Sequence, residues 1–267
     1  MRAATTLVKA LCPGIVHPQV RYKELLRHLL QPNIRWLDLG CGHNVIRPWA
    51  LLPGEDEIAY THSPSLSVGI DRDVSSLHGN RCIPFRVAAH MERLPFPDEC
   101  FDVVTANMVL EHSESPRAVM SEVWRTLRPD GRFIVHTPNK YFPASMLSAV
   151  LPKKIKPGLV ELLTRRPAKD AYPTYYRANT RSEITRCSQA CGFRVEHFEI
   201  LETLTFSPHQ VIFLSNLIIA CLLRWGAFEK LQADFLVTLR KPAINTVFRS
   251  GDAWSANRDA EEIPSVA

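Results

Sequence analysis

Two glycines and one aspartate stand where a parallel sheet would place them around a ligand. Gly40 and Gly42 follow the apolar residues 34–39, and Asp71 follows the apolar residues 66–70. Glycine has no Cβ, so the backbone of such a turn can approach a ligand closely, and exposed amide groups there can receive a carboxylate or a phosphate. A carboxylate at the end of the next strand can accept hydrogen bonds from both hydroxyls of a ribose. The alternative interpretation is a plain glycine turn beside a surface acid.

A nicotinamide-binding fold would use a similar glycine turn. The sequence Gly40-x-Gly42-x-x-Val45 lacks the third glycine of the dinucleotide fingerprint. The chain also contains no Tyr-x-x-x-Lys motif, which supplies the catalytic acid of many reductases. Both observations disfavour a dinucleotide-dependent reductase.

Alternating strands and helices must position these groups. The hydrophobic pattern predicts strands at residues 34–39, 66–70, 85–89, 101–106, 132–137, 193–200 and 234–239, the last of them closing the sheet. It predicts helices at residues 20–30, 115–127 and 181–190, with Gly192 ending the third helix. This order indicates an α/β fold with a doubly wound, mostly parallel sheet and helices on both faces. Side chains that follow the first, second and fourth strands should then converge at one edge of the sheet.

Composition narrows the class of protein. With 267 residues, 46% of them hydrophobic and 22% charged, the chain is typical of a single large globular domain and not of a disordered or polytopic membrane protein. Its net charge of +5 is too small to indicate nucleic-acid binding. The seven cysteines form no Cys-x-x-Cys pair and no zinc-like array, which favours reduced thiols in the cytosol. We predict neither a signal peptide nor a transmembrane helix.

Five motifs in order resemble those of class I S-adenosylmethionine-dependent methyltransferases. They are Trp-Leu-Asp-Leu-Gly-Cys-Gly at 36–42, Val-Gly-Ile-Asp at 68–71, Leu-Pro-Phe-Pro-Asp-Glu-Cys-Phe-Asp-Val-Val at 94–104, Val-Leu-Glu-His at 109–112 and Leu-Arg-Pro-Asp-Gly at 127–131. The resemblance is to the type 11 small-molecule group and covers about 34–140. It implies a Rossmann-like, seven-stranded fold and S-adenosylmethionine as cofactor.

The resemblance also implies roles for individual residues. The expected cofactor-binding residues are Asp38, Gly40 and Gly42 at the methionine part, Asp71 at the ribose, His90 and Met91 beside the adenine, and Asn107 near the transferred methyl, together with Cys41 and Arg72. Asn44 and His90 depart from the family pattern, in which many members have glycine and aspartate at these positions. The long interval before Asp71 indicates an insertion around residues 53–64. These departures leave open a degenerate domain that binds or scaffolds without catalysis.

His112 and Glu111 are the candidate catalytic residues. His112 follows the fourth predicted strand near the cleft, and histidine titrates near working pH, so it can serve as a general base. Glu111 can orient His112 or, as the resemblance to ubiquinone-type O-methyltransferases suggests, help to bind a metal, although we predict no metal site. The alternative is that both residues only cap or pack the following helix. His136, inside the fifth strand, is expected to be a hydrogen-bonded core histidine.

Acceptor choice is expected to depend on two unusual stretches. Residues 140–181 carry nine Lys or Arg against two acids, and only two side chains of residues 211–223 are polar. We predict that they cover an apolar or lipid-linked acceptor, with peripheral membrane contact through 141–180 and 209–225. The alternative is a solvated basic face over a helix that completes the core. Nucleic acid is disfavoured as acceptor, because no Asn-Pro-Pro-Tyr or Asp-Pro-Pro-Tyr follows the fourth strand.

The chain is expected to divide into five parts. These are an N-terminal helical extension (1–33), the cofactor-binding core (34–140), a basic helical lid (141–180), the rest of the sheet with an apolar helix (181–242) and a flexible tail (243–267). The expected function is methylation, at oxygen, of a small-molecule or a lipid- or sugar-linked acceptor in the cytoplasm. A non-catalytic scaffold and a peripheral membrane-docking protein are the alternatives.

Overall fold

Strands and helices alternate along the chain. The structure, a computed structural model, describes residues 16–46, 56–142, 146, 173–201 and 232–243. The helices in these residues are α1 (Pro18–Leu29), α2 (Glu57–Thr61), α3 (Val74–Gly79), α4 (Pro116–Thr126) and α5 (Arg181–Ala190), with a 3₁₀ turn at Leu110–His112. The strands are β1 (Arg35–Leu39), β2 (Leu66–Asp71), β3 (Phe85–Ala88), β4 (Phe101–Asn107), β5 (Leu127–Pro138), β6 (Arg194–Leu201) and β7 (Asp234–Arg240).

The described strands form one seven-stranded sheet in the order β3-β2-β1-β4-β5-β7-β6. The first five of these strands are mutually parallel, and β7 runs antiparallel to both of its neighbours. The predicted α/β, doubly wound, mostly parallel fold is therefore confirmed. The prediction that residues 234–239 close the sheet is wrong, since β7 lies inside it and β6 forms the edge.

The order of strands reverses at β1, which lies between β2 and β4. Leu39 pairs with Ile70 of β2 on one side and with Ala106 of β4 on the other. The residues that follow these pairs therefore emerge at one edge of the sheet, where open α/β sheets bind ligands. Gly40, Asp71 and Asn107 are the residues next in sequence.

Two hydrophobic clusters cover the two faces of the sheet. Leu37 and Leu39 of β1 belong to one cluster together with α4 residues such as Val119. Trp36 of the same strand belongs to the other cluster, which contains Tyr22 of α1. Successive side chains of a strand point to opposite faces, so β1 is buried on both sides. This confirms the expectation of helices on both faces.

Helix ends follow local sequence signals. Thr180 accepts a hydrogen bond from the backbone N–H of Glu183 at 3.2 Å, which caps the start of α5. Gly192, with φ of +93°, follows the end of α5 in the left-handed conformation that glycine tolerates. The three predicted helices are confirmed within two residues at each end. The short helices α2 and α3 were not predicted, and α2 lies inside the stretch interpreted as an insertion.

Several predicted features lie outside the described residues. They are the apolar helix at 211–223, the proposed membrane contact at 209–225, the tail from residue 244, and most of the basic stretch 141–180. None of the helices in the described part of the chain is both long and apolar enough to cross a bilayer.

Candidate active site

The turn after β1 contains two glycines that serve different purposes. Both have positive φ, +63° at Gly40 and +48° at Gly42. A Cβ at Gly40 would lie 2.6 Å from a methyl group of Val109, whereas a Cβ at Gly42 would meet no atom within 4 Å. Packing of Val109 against Gly40, rather than approach of a ligand, therefore requires glycine at position 40. Gly42 is the position with open space beside its backbone.

Asp71 lies directly beside this turn. Its Oδ2 accepts a hydrogen bond from the backbone N–H of Gly42 at 3.0 Å, and its Oδ1 accepts one from the N–H of Asp73 at 2.9 Å. The neighbouring Arg72 is exposed. The carboxylate that ends β2 is thus fixed next to the open space at Gly42, as the sequence predicted for these two residues.

Asp38 is a buried acid of β1, two residues before Gly40. Its side chain accepts a hydrogen bond from Thr105 Oγ1 at 2.6 Å, and the residue is only 2% exposed. Burial raises the pKa of Asp38 from 3.8 to about 7, against the opposing hydrogen bond from Thr105. The nearby carboxylates of Glu57 and Asp71 raise it further. Asp38 is therefore half protonated near neutral pH.

The remaining residues expected at the cofactor follow β3 and β1. The N–H of Ala89 donates to the backbone carbonyl of Asp71 at 3.1 Å, so His90 and Met91 follow directly beside the end of β2. His90 is exposed, and Met91 packs partly against the core. Cys41 is buried, and burial raises its thiol pKa far above the usual range.

Asn107, at the end of β4, is held by a network that the sequence did not reveal. Its side-chain amide exchanges two hydrogen bonds with the amide of Gln19, at 3.0 and 3.1 Å. Its Nδ2 also donates to the carbonyl of Val45 at 3.1 Å, and its Oδ1 lies 2.8 Å from His136 Nδ1. An asparagine amide has two N–H donors and two acceptor lone pairs, so these contacts use its full capacity. Asn107 therefore positions other groups.

His136 is buried and hydrogen-bonded, as predicted. It is 1% exposed, and its Nε2 lies 3.3 Å from Asp234 Oδ2. Its ring stacks against Tyr22 of α1 with centroids 5.9 Å apart. Through Gln19 and Tyr22, α1 is anchored on the edge of the sheet that carries Asn107.

Glu111 and His112 lie in the 3₁₀ turn after β4. Glu111 is 3% exposed, and its Oε2 accepts a hydrogen bond from Thr137 Oγ1 at 3.1 Å. Burial raises the pKa of Glu111 to about 8, so its carboxyl is mostly protonated at neutral pH. His112 is partly exposed, with its Nε2 3.9 Å from Glu111 Oε1 and its Nδ1 2.7 Å from the carbonyl oxygen of Pro173. The two residues thus form a pair of one buried acid and one accessible imidazole.

Comparison with known proteins identifies this arrangement. Residues 37–135 match a family described as a methyltransferase domain. A probable S-adenosylmethionine-dependent methyltransferase of Mycolicibacterium smegmatis is 29% identical over 183 residues, which cover 67% of this chain and 58% of the relative. Residues 37–135 form a class I methyltransferase domain of the type 11 group.

Two further relatives of the methyltransferase domain differ in the methylated atom. The ubiquinone biosynthesis O-methyltransferase of Xylella fastidiosa is 28% identical over 134 residues, 49% of this chain and 52% of the relative. The structure of geranyl diphosphate C-methyltransferase from Streptomyces coelicolor, with Mg²⁺, geranyl diphosphate and S-adenosyl-L-homocysteine, shares the fold with a TM-score of 0.53 and 14% identity, covering 84% of this chain and 77% of that one. The chain spans 58% of the Mycolicibacterium smegmatis relative and 52% of the Xylella fastidiosa relative.

S-adenosylmethionine is the cofactor of this domain family, and the residues at the edge of the sheet fit it. The open space at Gly42 is a cradle that a Cβ would narrow, and it lies beside the Asp71 carboxylate. The cofactor carries a ribose with two hydroxyls and a positively charged sulfonium. A carboxylate suits the first group, and the acids Asp38 and Asp71 favour a nearby positive charge.

Glu57, which no sequence motif singled out, anchors the loop after the glycine turn. This buried carboxylate accepts hydrogen bonds from the N–H groups of Val45 and Ile46, the second at 2.8 Å, and from Asn44 Nδ2 at 3.2 Å. Asn44, which departs from the family pattern, therefore has a role in holding the loop of the methyltransferase domain. The only sequence signal is the helix start at Asp56, whose side chain caps α2.

The described residues contain no cluster of three or more His, Cys, Asp or Glu arranged to hold a metal ion. The side chains of Thr137 and His112 lie near the Glu111 carboxyl. Its Oε1 lies 3.9 Å from His112 Nε2, which is too far for a hydrogen bond.

Proposed function

We propose that this protein transfers the methyl group of S-adenosylmethionine to a hydroxyl of a small-molecule acceptor. The observation that carries the proposal is the hydrogen bond between the Gly42 N–H and Asp71 Oδ2, which joins the ends of β1 and β2 beside open space. Had Asp71 pointed away from the glycine turn, the carboxylate that ends β2 could not have bound a ribose beside Gly42.

The chain's own residues have three tasks in this proposal. Asp71 holds the ribose of the cofactor, and Asp38 and Gly42 lie on the side expected for its methionine part. Asn107, fully bonded to Gln19, Val45 and His136, keeps the end of β4 and helix α1 in fixed positions. When bound, the cofactor supplies an electrophilic methyl on a sulfonium, and holding the acceptor in line with it lowers the barrier by several kcal/mol.

Methylation at oxygen is supported by the presence of a base. A neutral hydroxyl must lose its proton as the new carbon–oxygen bond forms, and a positioned imidazole accelerates such a step by about 10²–10⁴. His112 is accessible and lies after β4, where the acceptor is expected. The relative named as a ubiquinone O-methyltransferase agrees with this choice, whereas the structural neighbour named as a C-methyltransferase represents the competing chemistry.

The acceptor is proposed to be a small molecule or a lipid-linked molecule, and not nucleic acid. The argument against nucleic acid is that no Asn-Pro-Pro-Tyr or Asp-Pro-Pro-Tyr follows β4. The support for a lipid-linked acceptor is the charge of residues 140–181, which carry nine basic side chains against two acidic ones. Such a stretch can contact anionic head groups at a membrane surface, in the cytoplasm, without spanning the bilayer. Flotation with liposomes that contain phosphatidylserine tests this contact, and the absence of binding at low salt would exclude it.

The cofactor site is tested by titration calorimetry with S-adenosylhomocysteine. Asp71→Asn keeps the shape of the side chain and removes its charge, so the affinity is expected to fall about 10- to 100-fold. Asp98→Asn is the matched control, because the Asp98 side chain is 74% exposed and pairs with Arg125 of α4. Equal affinities of the Asp71→Asn variant and the unaltered protein would refute the assignment.

Transfer is tested with a cofactor that carries a ¹³C-labelled methyl group and with lipid, quinone and sugar extracts. The ¹³C chemical shift of the product separates a methoxy group from an N- or C-methyl group. His112→Gln is expected to retain S-adenosylhomocysteine binding and to lose transfer by about 10²-fold or more. A C-methyl product formed at full rate by His112→Gln would refute both O-methylation and the base.

A further inference from the structure

Residues 173–177 lie against the 3₁₀ turn that carries His112. The backbone N–H of Tyr175 donates to the carbonyl of Glu111 at 2.8 Å, and its phenol donates to Glu114 Oε1 at 2.6 Å. Arg177 donates to the backbone carbonyl of Glu114 at 2.5 Å, and its guanidinium lies 5.7 Å from the centre of the Tyr175 ring. These contacts anchor the segment beside the proposed base at several points.

The same segment contacts the imidazole itself. The carbonyl oxygen of Pro173 lies 2.7 Å from His112 Nδ1, a distance typical of a strong hydrogen bond. A carbonyl oxygen has lone pairs and no hydrogen, so Nδ1 must carry the proton in this bond. A neutral imidazole carries one N–H, so Nε2 then holds the basic lone pair.

Glu111 does not oppose this arrangement. The 3.9 Å between its Oε1 and His112 Nε2 is too long for a hydrogen bond. Its buried carboxyl, with a pKa raised to about 8, is mostly uncharged at neutral pH, so it does not strongly attract a proton to Nε2. Of these two groups, the carbonyl of Pro173 is therefore the one that holds the proton on Nδ1.

We infer that the backbone of Pro173 fixes the tautomer of His112 and thereby makes Nε2 the atom that receives the acceptor's proton. The inference rests on the proposed function as far as His112 is the base. In the step, the acceptor's O–H bond breaks, its proton forms the Nε2–H bond, and an oxygen electron pair forms the bond to the methyl carbon while the carbon–sulfur pair stays on sulfur. Pro173, Tyr175 and Arg177 are positioning residues, since they act through His112.

The tautomer can be measured without knowledge of the acceptor. The full chain is labelled with ¹⁵N-histidine, the signals of His112 are assigned with His112→Gln, and spectra are recorded at a pH where His112 is neutral. We expect a pyrrole-like Nδ1 and a pyridine-like Nε2. A pyridine-like Nδ1 in the unaltered protein would overturn the inference.

A double variant tests the anchoring. Tyr175→Phe with Arg177→Ala removes the two side-chain contacts to Glu114, and we expect the His112 signals to move to values averaged between the tautomers. The matched control, Tyr141→Phe with Arg132→Ala, removes an exposed tyrosine hydroxyl and an arginine that pairs with Glu196, and it should leave the signals unchanged. Unchanged signals in the anchor variant, or an equal change in the control, would refute the role of the segment.

Activity separates this inference from the proposed function. The anchor variant should keep its affinity for S-adenosylhomocysteine and transfer the methyl group about twofold more slowly, because a released imidazole divides its proton between two nitrogens. If His112→Gln transferred the methyl group at full rate, His112 would not be the base, although the tautomer result would still stand. The double variant could also keep its affinity for S-adenosylhomocysteine and its rate of methyl transfer while its His112 signals become averaged. That outcome would refute Nε2 as the atom that receives the proton.

Discussion

Substitution of Asp38 by asparagine should stabilise the protein at alkaline pH. The folded state raises the pKa of Asp38 from 3.8 to about 7, chiefly because the side chain is buried. Between these two values the folded chain holds a proton that the unfolded chain has lost, so stability falls as the pH rises and the loss is complete above pH 7. Asparagine has the same shape, can still accept the hydrogen bond from Thr105 and has no charge to bury.

The expected magnitude follows from the size of the shift. About three pKa units correspond to about 4 kcal/mol at pH 8, at about 1.4 kcal/mol per unit. At pH 5 the folded group is almost fully protonated while the unfolded group is mostly ionised, and the same relation gives about 2 kcal/mol. The stability difference between Asp38→Asn and the unaltered protein should therefore grow by about 2–3 kcal/mol from pH 5 to pH 8.

Urea unfolding at both pH values measures this difference. The exposed Asp98→Asn serves as the control and should show no comparable growth, since its side chain is 74% exposed. A stability difference that is the same at pH 5 and pH 8 would show that Asp38 is ionised throughout and would refute the reasoning from burial. Asp38→Asn should also bind S-adenosylmethionine more weakly at pH 8, because the cofactor's positive charge loses a neighbouring carboxylate.

Three other substitutions probe the site. Gly40→Ala should destabilise the fold by about 1–3 kcal/mol through its clash with Val109, and Val109→Ala should restore part of the loss in urea unfolding; additive effects would exclude the clash. Glu57→Gln should lower the melting temperature, with a cost of about 1–3 kcal/mol, because it weakens the anchor of the loop after Gly42, and an unchanged melting temperature would contradict this role. Glu111→Gln should raise the melting temperature more at pH 9 than at pH 6, since burial raises the pKa of this acid from 4.5 to about 8 and the folded state loses stability as the pH rises between these two values, with the full loss reached above pH 8; an equal gain at both pH values would argue against this titration.

The sequence by itself determined the parts of this protein that depend on neighbouring residues. The apolar runs followed by Gly40 and Asp71 predicted β1 and β2. A buried strand and a glycine turn each depend on the types of a few consecutive residues, so the sequence shows both. The glycine at position 192 likewise located the end of α5. The pairing of Gly42 with Asp71 followed from the rule that parallel strands end at one edge.

Only the tertiary structure shows which residues that are distant in sequence contact each other at the site. Gln19 and Asn107 are 88 positions apart, and Pro173 and His112 are 61 apart, so no local pattern announces their hydrogen bonds. Strand direction was undetermined for a related reason, since the apolar run of β7 suits a parallel or an antiparallel neighbour equally. Burial, which raises the pKa of Asp38, is likewise a property of everything packed around a residue and not of the residue's own sequence.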